Sequence, residues 1–225
     1  MRTGDYDAVD ELTARALVAA RDTGDRTLEA DAFAVQGMTL HFRAIELPPE
    51  RRAAIDPAPE QELFDRALSI RRDLDDRVGI AESLFQLGLV YQVLRRDLEA
   101  AAPYIREALG VLETAPDADD LLRSEIHRHI GFDLLLRQDR PAEAREHLRV
   151  SLELREPLPE QGWIASAHVA LSLCERLAGR RADAIAYARQ ALDVAEAQAL
   201  HERFGAAAQN ALQDAEAMPN SGTAP

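Results

Sequence analysis

The sequence predicts an all-α protein, an α-solenoid of stacked antiparallel helix hairpins, and three observations carry that reading. Markers recur in step: Gly88 to Gly131, Ala101 to Ala144 and Ala108 to Ser151 are each 43 residues apart, and Ala144 to Ala184 is 40. A supersecondary unit of about 40 residues repeated along a chain is the signature of helical pairs stacked side by side. The stretch from Ala81 to Leu112, AESLFQLGLVYQVLRRDLEAAAPYIREALGVL, reads as two amphipathic helices folded back on one another. Within the first of them lies Gly88, and a glycine inside a helix costs about 1 kcal/mol relative to alanine. Close approach of the partner helix, against the small residues Ala101 and Ala108, explains its presence.

The other elements follow in order. GDYDAVDELTARAL, from Gly4 to Leu17, reads as a turn and the second helix of a hairpin, with Val9, Leu12, Ala16 and Leu17 on one side. Thr23-Gly24-Asp25 supplies a glycine stop. A helix over 25–42 carries Phe33, Gln36, Gly37 and Leu40 as Leu84, Leu87, Gly88 and Tyr91 stand in the central hairpin. Four prolines in ELPPERRAAIDPAP, between Glu46 and Pro59, predict an insertion with at most one short helical turn. The mate resumes near Glu60 with Phe64, Ala67 and Leu68. After the central hairpin, Asp117 to Asp120 offer N-caps for a helix ending near Gln138, in which Ile130-Gly131 repeats Leu87-Gly88. Pro141 opens the next helix at its first turn, where the missing N–H costs nothing. Pro157 and Pro159 close that repeat, and a last hairpin spans 161–197 with Ala184, Ala188 and Ala191 in the equivalent places. The expected organisation is one array over 1–217: a half repeat at 4–22, repeats at about 25–75, 77–114, 118–156 and 161–198, and a capping helix at 200–217. A disordered tail follows at 218–225.

Composition bounds the function. With 47% hydrophobic and 29% charged residues the chain can bury a core. The balance of 26 basic against 40 acidic side chains gives −14, and every basic residue is arginine. Such a surface repels phosphate backbones, so nucleic acid is not an expected partner. No apolar run is long enough to span a membrane and no signal peptide is visible at the start. The single Cys174 cannot form an internal disulfide, and the expected location is cytoplasmic.

Leu84, Leu87, Gly88 and Tyr91, followed by Ala101 and Ala108, resemble the tetratricopeptide repeat, whose first helix carries a large residue, Leu-Gly and an aromatic and whose second carries two small residues seven apart. The likeness covers nearly all of 4–198. The units here exceed the standard 34 residues, with one extra residue between the two helices of each central repeat. In length they resemble the helical arrays of actinobacterial regulatory proteins. The resemblance implies a right-handed superhelix and a non-enzymatic, regulatory scaffold or adaptor that binds a protein or peptide segment, such as an amphipathic helix, along a concave inner wall.

Carried onto this sequence, the wall comprises Met38, His41 and Phe42, preceded by Asp31 and Ala34; then Glu82, Phe85, Leu89, Gln92 and Val93. It continues with Glu125, Arg128, Phe132 and Leu136, and with Ser166, Val169, Leu173, Arg176 and Leu177. Much of it is apolar, which marks an interaction site unless a tight superhelix or the terminal helix around Phe204 buries it. Two other readings stand beside the peptide groove. One is a small-molecule site or atypical enzyme with His41, His127 or Arg128 as polar anchors; the other is a homodimer. Asp31, Glu82 and Glu125 fall at one equivalent position and form either a solvated row or an attraction for a basic partner.

Catalytic and metal signatures are weak. His127 and His129 point in different directions on a helix, and the pairs Glu125/His129, His129/Asp133 and Glu143/His147 are each four apart, short of the three or four ligands a metal needs. No cofactor or metal is called for. Cys174 reads as a small buried hydrophobe, and Trp163 as a packing residue between repeats.

Overall fold

The computed structural model describes residues 6–115, 119–138, 140–158, 162–197 and 202–219, and all regular structure among them is helical. The chain divides into two compact units, Met1–Ala118 and Asp119–Pro225.

The first unit holds α1 (Tyr6–Thr23), α2 (Arg26–Glu46), the short α3 (Pro49–Arg52), α4 (Ala58–Asp73), α5 (Arg77–Leu89) and α6 (Leu98–Glu113). Its helices begin where aspartates cap them: Asp25, Asp76 and Asp97 accept from the backbone N–H groups of Leu28, Gly79 and Ala100 at 2.9, 3.0 and 3.0 Å. Gly24 ends α1 in the left-handed conformation at φ 73°. The Pro-rich insertion contributes only α3, whose Arg52 reaches back to the carbonyls of Ile45 and Leu47 at the end of α2. Packing runs α1 on α2, α2 on α4, α4 on α5 and α5 on α6.

Both hairpins of this unit close over a glycine. A Cβ added at Gly88 would lie 2.5 Å from Ile105 Cγ1, and one at Gly37 would clash with the edge of the Phe64 ring. The second half of α5 is enclosed, with all of Ser83 to Leu89 buried.

The extra residue of the central repeat has a definite location. Val90–Arg95 continues α5 as a π-helix, the form one inserted residue imposes on a helix. Arg96 then turns at φ 53°, and the Asp97 N–H bonds to the Tyr91 carbonyl at 2.9 Å. In the second unit the equivalent Arg140 N–H bonds to the Leu134 carbonyl at 3.2 Å, the same closing hydrogen bond, although α7 stays α-helical to Gln138. Tyr91 and Tyr104 stack across the hairpin at 5.3 Å, with the Arg95 guanidinium over Tyr91.

The second unit holds α7 (Asp120–Gln138), α8 (Pro141–Arg155), α9 (Gly162–Leu177), α10 (Arg181–Ala197) and α11 (Glu202–Glu216). Asp119 accepts the Leu121 N–H ahead of α7, Asp120 is the first residue of the helix, and the remaining cap candidate, Asp117, lies outside the described residues. Gly131 admits Leu148, whose Cγ would stand 2.7 Å from an added Cβ, and Ala144, Ser151, Ala184, Ala188 and Ala191 are all buried. Ser172 replaces the glycine in the last hairpin and bonds to the Ala184 carbonyl at 2.8 Å, without the extra residue. Helix α11 packs on α9 and α10 through Ala208 and Ala215. Arg181 donates to the carbonyls of Glu216 and Met218 at 3.0 Å each, capping its C-terminus. Met218 is thus tied down, and the remainder of the expected tail, 220–225, lies outside the described residues.

Candidate functional site

Five of the first unit's expected wall residues converge. Asp31, Ala34, Met38 and Phe42 of α2 and Glu82 of α5 line a cleft of about 480 Å3, together with Val35 and Thr39 of α2, Tyr6 and Val9 of α1, Arg71 of α4 and Gln86 of α5. Val35 is 45% exposed and gives the cleft an open apolar wall.

Others of the row are withdrawn from solvent. His41 is 4% exposed, its Nδ1 2.8 Å from Glu60 Oε1. It follows Gly37 by one helical turn and so turns toward α4 inside the hairpin, which corrects its reading as a wall residue. Phe85 and Leu89 are each 6% exposed, within the stretch of α5 from Ser83 to Leu89 that is buried throughout; they are core, not open wall. Gln92 and Val93 are half-buried on the π-helical turn.

The acidic row is neither simply solvated nor open. Arg71, 4% exposed, meets Asp31 at 2.9 Å and Glu82 at 2.8 Å, and donates to the Ser83 hydroxyl at 2.8 Å and the Gly79 carbonyl at 3.2 Å. In the second unit the fully buried Arg155 pairs with Glu125 and donates to the Ser124 hydroxyl at 2.9 Å. Arg71 stands seven residues after Phe64, which packs on Gly37, and Arg155 seven after Leu148, which packs on Gly131. The two arginines are therefore repeat equivalents, and in the repeat between them Leu112 takes the place. Neither was singled out from sequence, although an arginine at core spacing was the signal available.

Glu125 also accepts from Arg128 at 2.6 Å. The Arg128 guanidinium lies 5.0 Å from the ring centre of Trp163 and 6.0 Å from that of Phe132, and Arg155 stands 5.7 Å from Trp163. Trp163 in turn meets Phe204 edge-on, so the terminal helix joins this cluster. Leu136 is 67% exposed. Val169, Leu173 and Arg176 line a smaller cleft of about 260 Å3 whose other side is α11, through Ala207, Asn210, Ala211 and Asp214. That part of the expected wall faces the terminal helix.

Two remaining chemistries resolve structurally. Burial pushes the Cys174 thiol up to about 12, with the neighbouring Glu175 carboxylate adding to the effect, so it carries no nucleophilic thiolate at neutral pH. Glu175 itself is fully buried and held by Arg145 at 2.5 Å and by Arg180. Among the described residues no group of three or more His, Cys, Asp or Glu side chains is placed to hold a metal.

His127 and His147 bridge α7 and α8, one ring donating to the other with 2.9 Å between their Nδ1 atoms. Burial, with His147 and Arg123 adding to it, lowers His127 to about 4, and burial lowers His147 against the opposing pull of Glu143 and Glu146. The folded rings thus resist protons that the unfolded chain takes up below pH 6.5, so stability is full above that pH and is lost as pH falls toward 4. Tm is expected to drop between pH 7 and pH 5, with a flatter profile in His127→Gln; equal slopes in the two proteins would remove the pair as the cause.

No helix among the described residues is long and apolar enough to cross a membrane. No curated protein matches the chain. Among solved structures, the crystal structure of BtubC (BKLC) from P. vanneervenii has the same fold at a TM-score of 0.60, with 16% sequence identity, covering 88% of this chain and 94% of that one. Residues 122–197, the stretch from α7 through α10, match the family model of the tetratricopeptide repeat.

Proposed function

We propose that the chain is a non-enzymatic regulatory scaffold that holds a peptide segment of a cytoplasmic partner in the first-unit cleft. Tetratricopeptide proteins are in general protein-interaction scaffolds. The observation that carries the finer reading is the cleft of about 480 Å3, where Ala34, Val35, Met38 and Phe42 form an apolar floor beside the carboxylates of Asp31 and Glu82. Apolar side chains with a few convergent polar groups are what a recognition groove requires. The matching positions of the second unit are engaged with Trp163 or with α11, which favours the first unit.

Selection of short random peptides on the full chain tests this. Enriched peptides are expected to lose binding to Val35→Asp by about tenfold or more, since a charge then stands in the apolar floor, while the exposed position leaves the fold intact. Peptides that bind the variant as well as the wild type would place recognition elsewhere.

A second reading has its own observation. Beside the Pro-rich insertion, a cavity of about 550 Å3 is lined by Leu40, Ala44, Leu47 and Ile55 together with the buried carboxylate of Glu60, a size and polarity suited to a small apolar molecule. Ile55→Trp, which fills it, should then abolish thermal stabilisation by a ligand found in a small-molecule screen.

A further inference from the structure

The polar groups of the first-unit cleft are unevenly placed. Arg71 is inside, its side chain 5% exposed, whereas Asp31 and Glu82 are 53% and 41% exposed and lean on it from the mouth. Two carboxylates against one guanidinium leave the mouth negative, on a chain of net charge −14. Beside them Gln86, 4% exposed, lines the cleft with an Oε1 that has no hydrogen-bond partner. Arg71 Nε is also without a partner, but its side chain lies behind the two carboxylates; the exposed polar groups at the mouth, Asp31 and Glu82, are acceptors, and a buried acceptor such as Gln86 Oε1 left unpaired is a cost that a donor would remove. Away from them the lining turns apolar, through Val35, Met38 and Phe42.

Resting on the docking reading above, we infer that the cleft selects a peptide segment bearing an arginine between apolar residues. Its guanidinium meets Asp31, Glu82 and Gln86, and its aliphatic stem lies on Met38 and Val35. Guanidinium presents five donors in a rigid planar fork, which suits several acceptors at once, and its three methylenes are content on an apolar surface. Lysine offers one compact, strongly hydrated charge and matches the set less well. A carboxylate or phosphate brought to the same mouth is repelled.

The test uses the full chain and synthetic, fluorescein-labelled copies of peptides enriched in the random selection, read by fluorescence anisotropy. Arginine next to Leu, Ile, Met or Phe is expected in the enriched set. Changing that arginine to glutamine should weaken binding by about tenfold, changing it to lysine by less, and raising salt should weaken it further. Glu82→Gln in the protein should cause a comparable loss, with little added when it is combined with the peptide change. Glu82→Gln leaves Asp31 on Arg71, so the fold is retained, and the peptide-side changes require no altered protein. Enriched peptides that Val35→Asp abolishes but that carry no arginine, or that bind Glu82→Gln undiminished, overturn the arginine inference and leave the groove standing. Peptides indifferent to Val35→Asp overturn the groove itself.

Discussion

Valine in place of Gly37 is expected to cost the first unit about 3 kcal/mol, while alanine in place of Gly110 adds about 1 kcal/mol of stability. The two glycines lie inside helices, and what each meets decides the sign. A Cβ at Gly37 would overlap Phe64, with ring atoms Cδ1 and Cζ at 2.8 and 2.9 Å and Cε1 closer still. Phe64 has no exposure, so the ring cannot step aside without opening the α2–α4 hairpin. At Gly110 nothing stands within 4 Å, and only the helix-propensity term remains. Urea unfolding followed by circular dichroism on the full chain reads both changes, and Trp163, the one tryptophan in the sequence, reports the second unit by fluorescence. An unchanged urea midpoint for Gly37→Val would mean that the hairpin does not close over this residue.

The same glycines show why the fold was legible before any coordinates. Gly37, Gly88 and Gly131 are costly in isolation and profitable only against Phe64, Ile105 and Leu148, so their spacing encodes the stacking of helices directly. Aspartates at Asp25, Asp76 and Asp97 likewise act within a turn of where they stand, and local signals survive in one dimension. The extra residue of the central repeats was visible as a count, but a count does not say that it is absorbed into a π-helix at Val90–Arg95.

The candidate wall was legible only in part, for a reason that lies in partners distant along the chain. Met38, Phe42 and Glu82 do line one cleft. His41 does not, because Glu60, across the Pro-rich insertion, draws its imidazole inward. Phe85 and Leu89 sit on the expected helix face, yet every residue of α5 from Ser83 to Leu89 is buried, and the mainly apolar run SLFQLGLV is consistent with that. Arg71 and Arg155 escaped notice because arginine at core spacing reads as a solvated side chain until its carboxylate is found. With them the acidic row changes meaning: Asp31, Glu82 and Glu125 first satisfy the protein's own guanidinium groups, and only Asp31 and Glu82 keep substantial exposure beyond that duty.

Glu125→Ala is accordingly expected to destabilise the second unit by about 3–5 kcal/mol, the cost of removing one partner of a buried pair. Arg155 has no exposure at all, and its guanidinium cannot turn to water when the Glu125 carboxylate is taken away. Arg128 loses the same anion, and the cluster it forms over Trp163 and Phe132 loosens with it. The neighbouring repeat supplies the remedy, since Leu112 fills the equivalent of Arg155 as ordinary core. Arg155→Leu combined with Glu125→Gln should therefore recover most of the loss, to within about 2 kcal/mol of the wild type, because an apolar replacement needs no counter-charge. Urea unfolding read by Trp163 fluorescence distinguishes the cases, as the tryptophan sits between the two guanidinium groups concerned. If Glu125→Ala were as stable as the wild type, the carboxylate would be a surface group available to a partner, and the second unit would regain its claim to the binding wall.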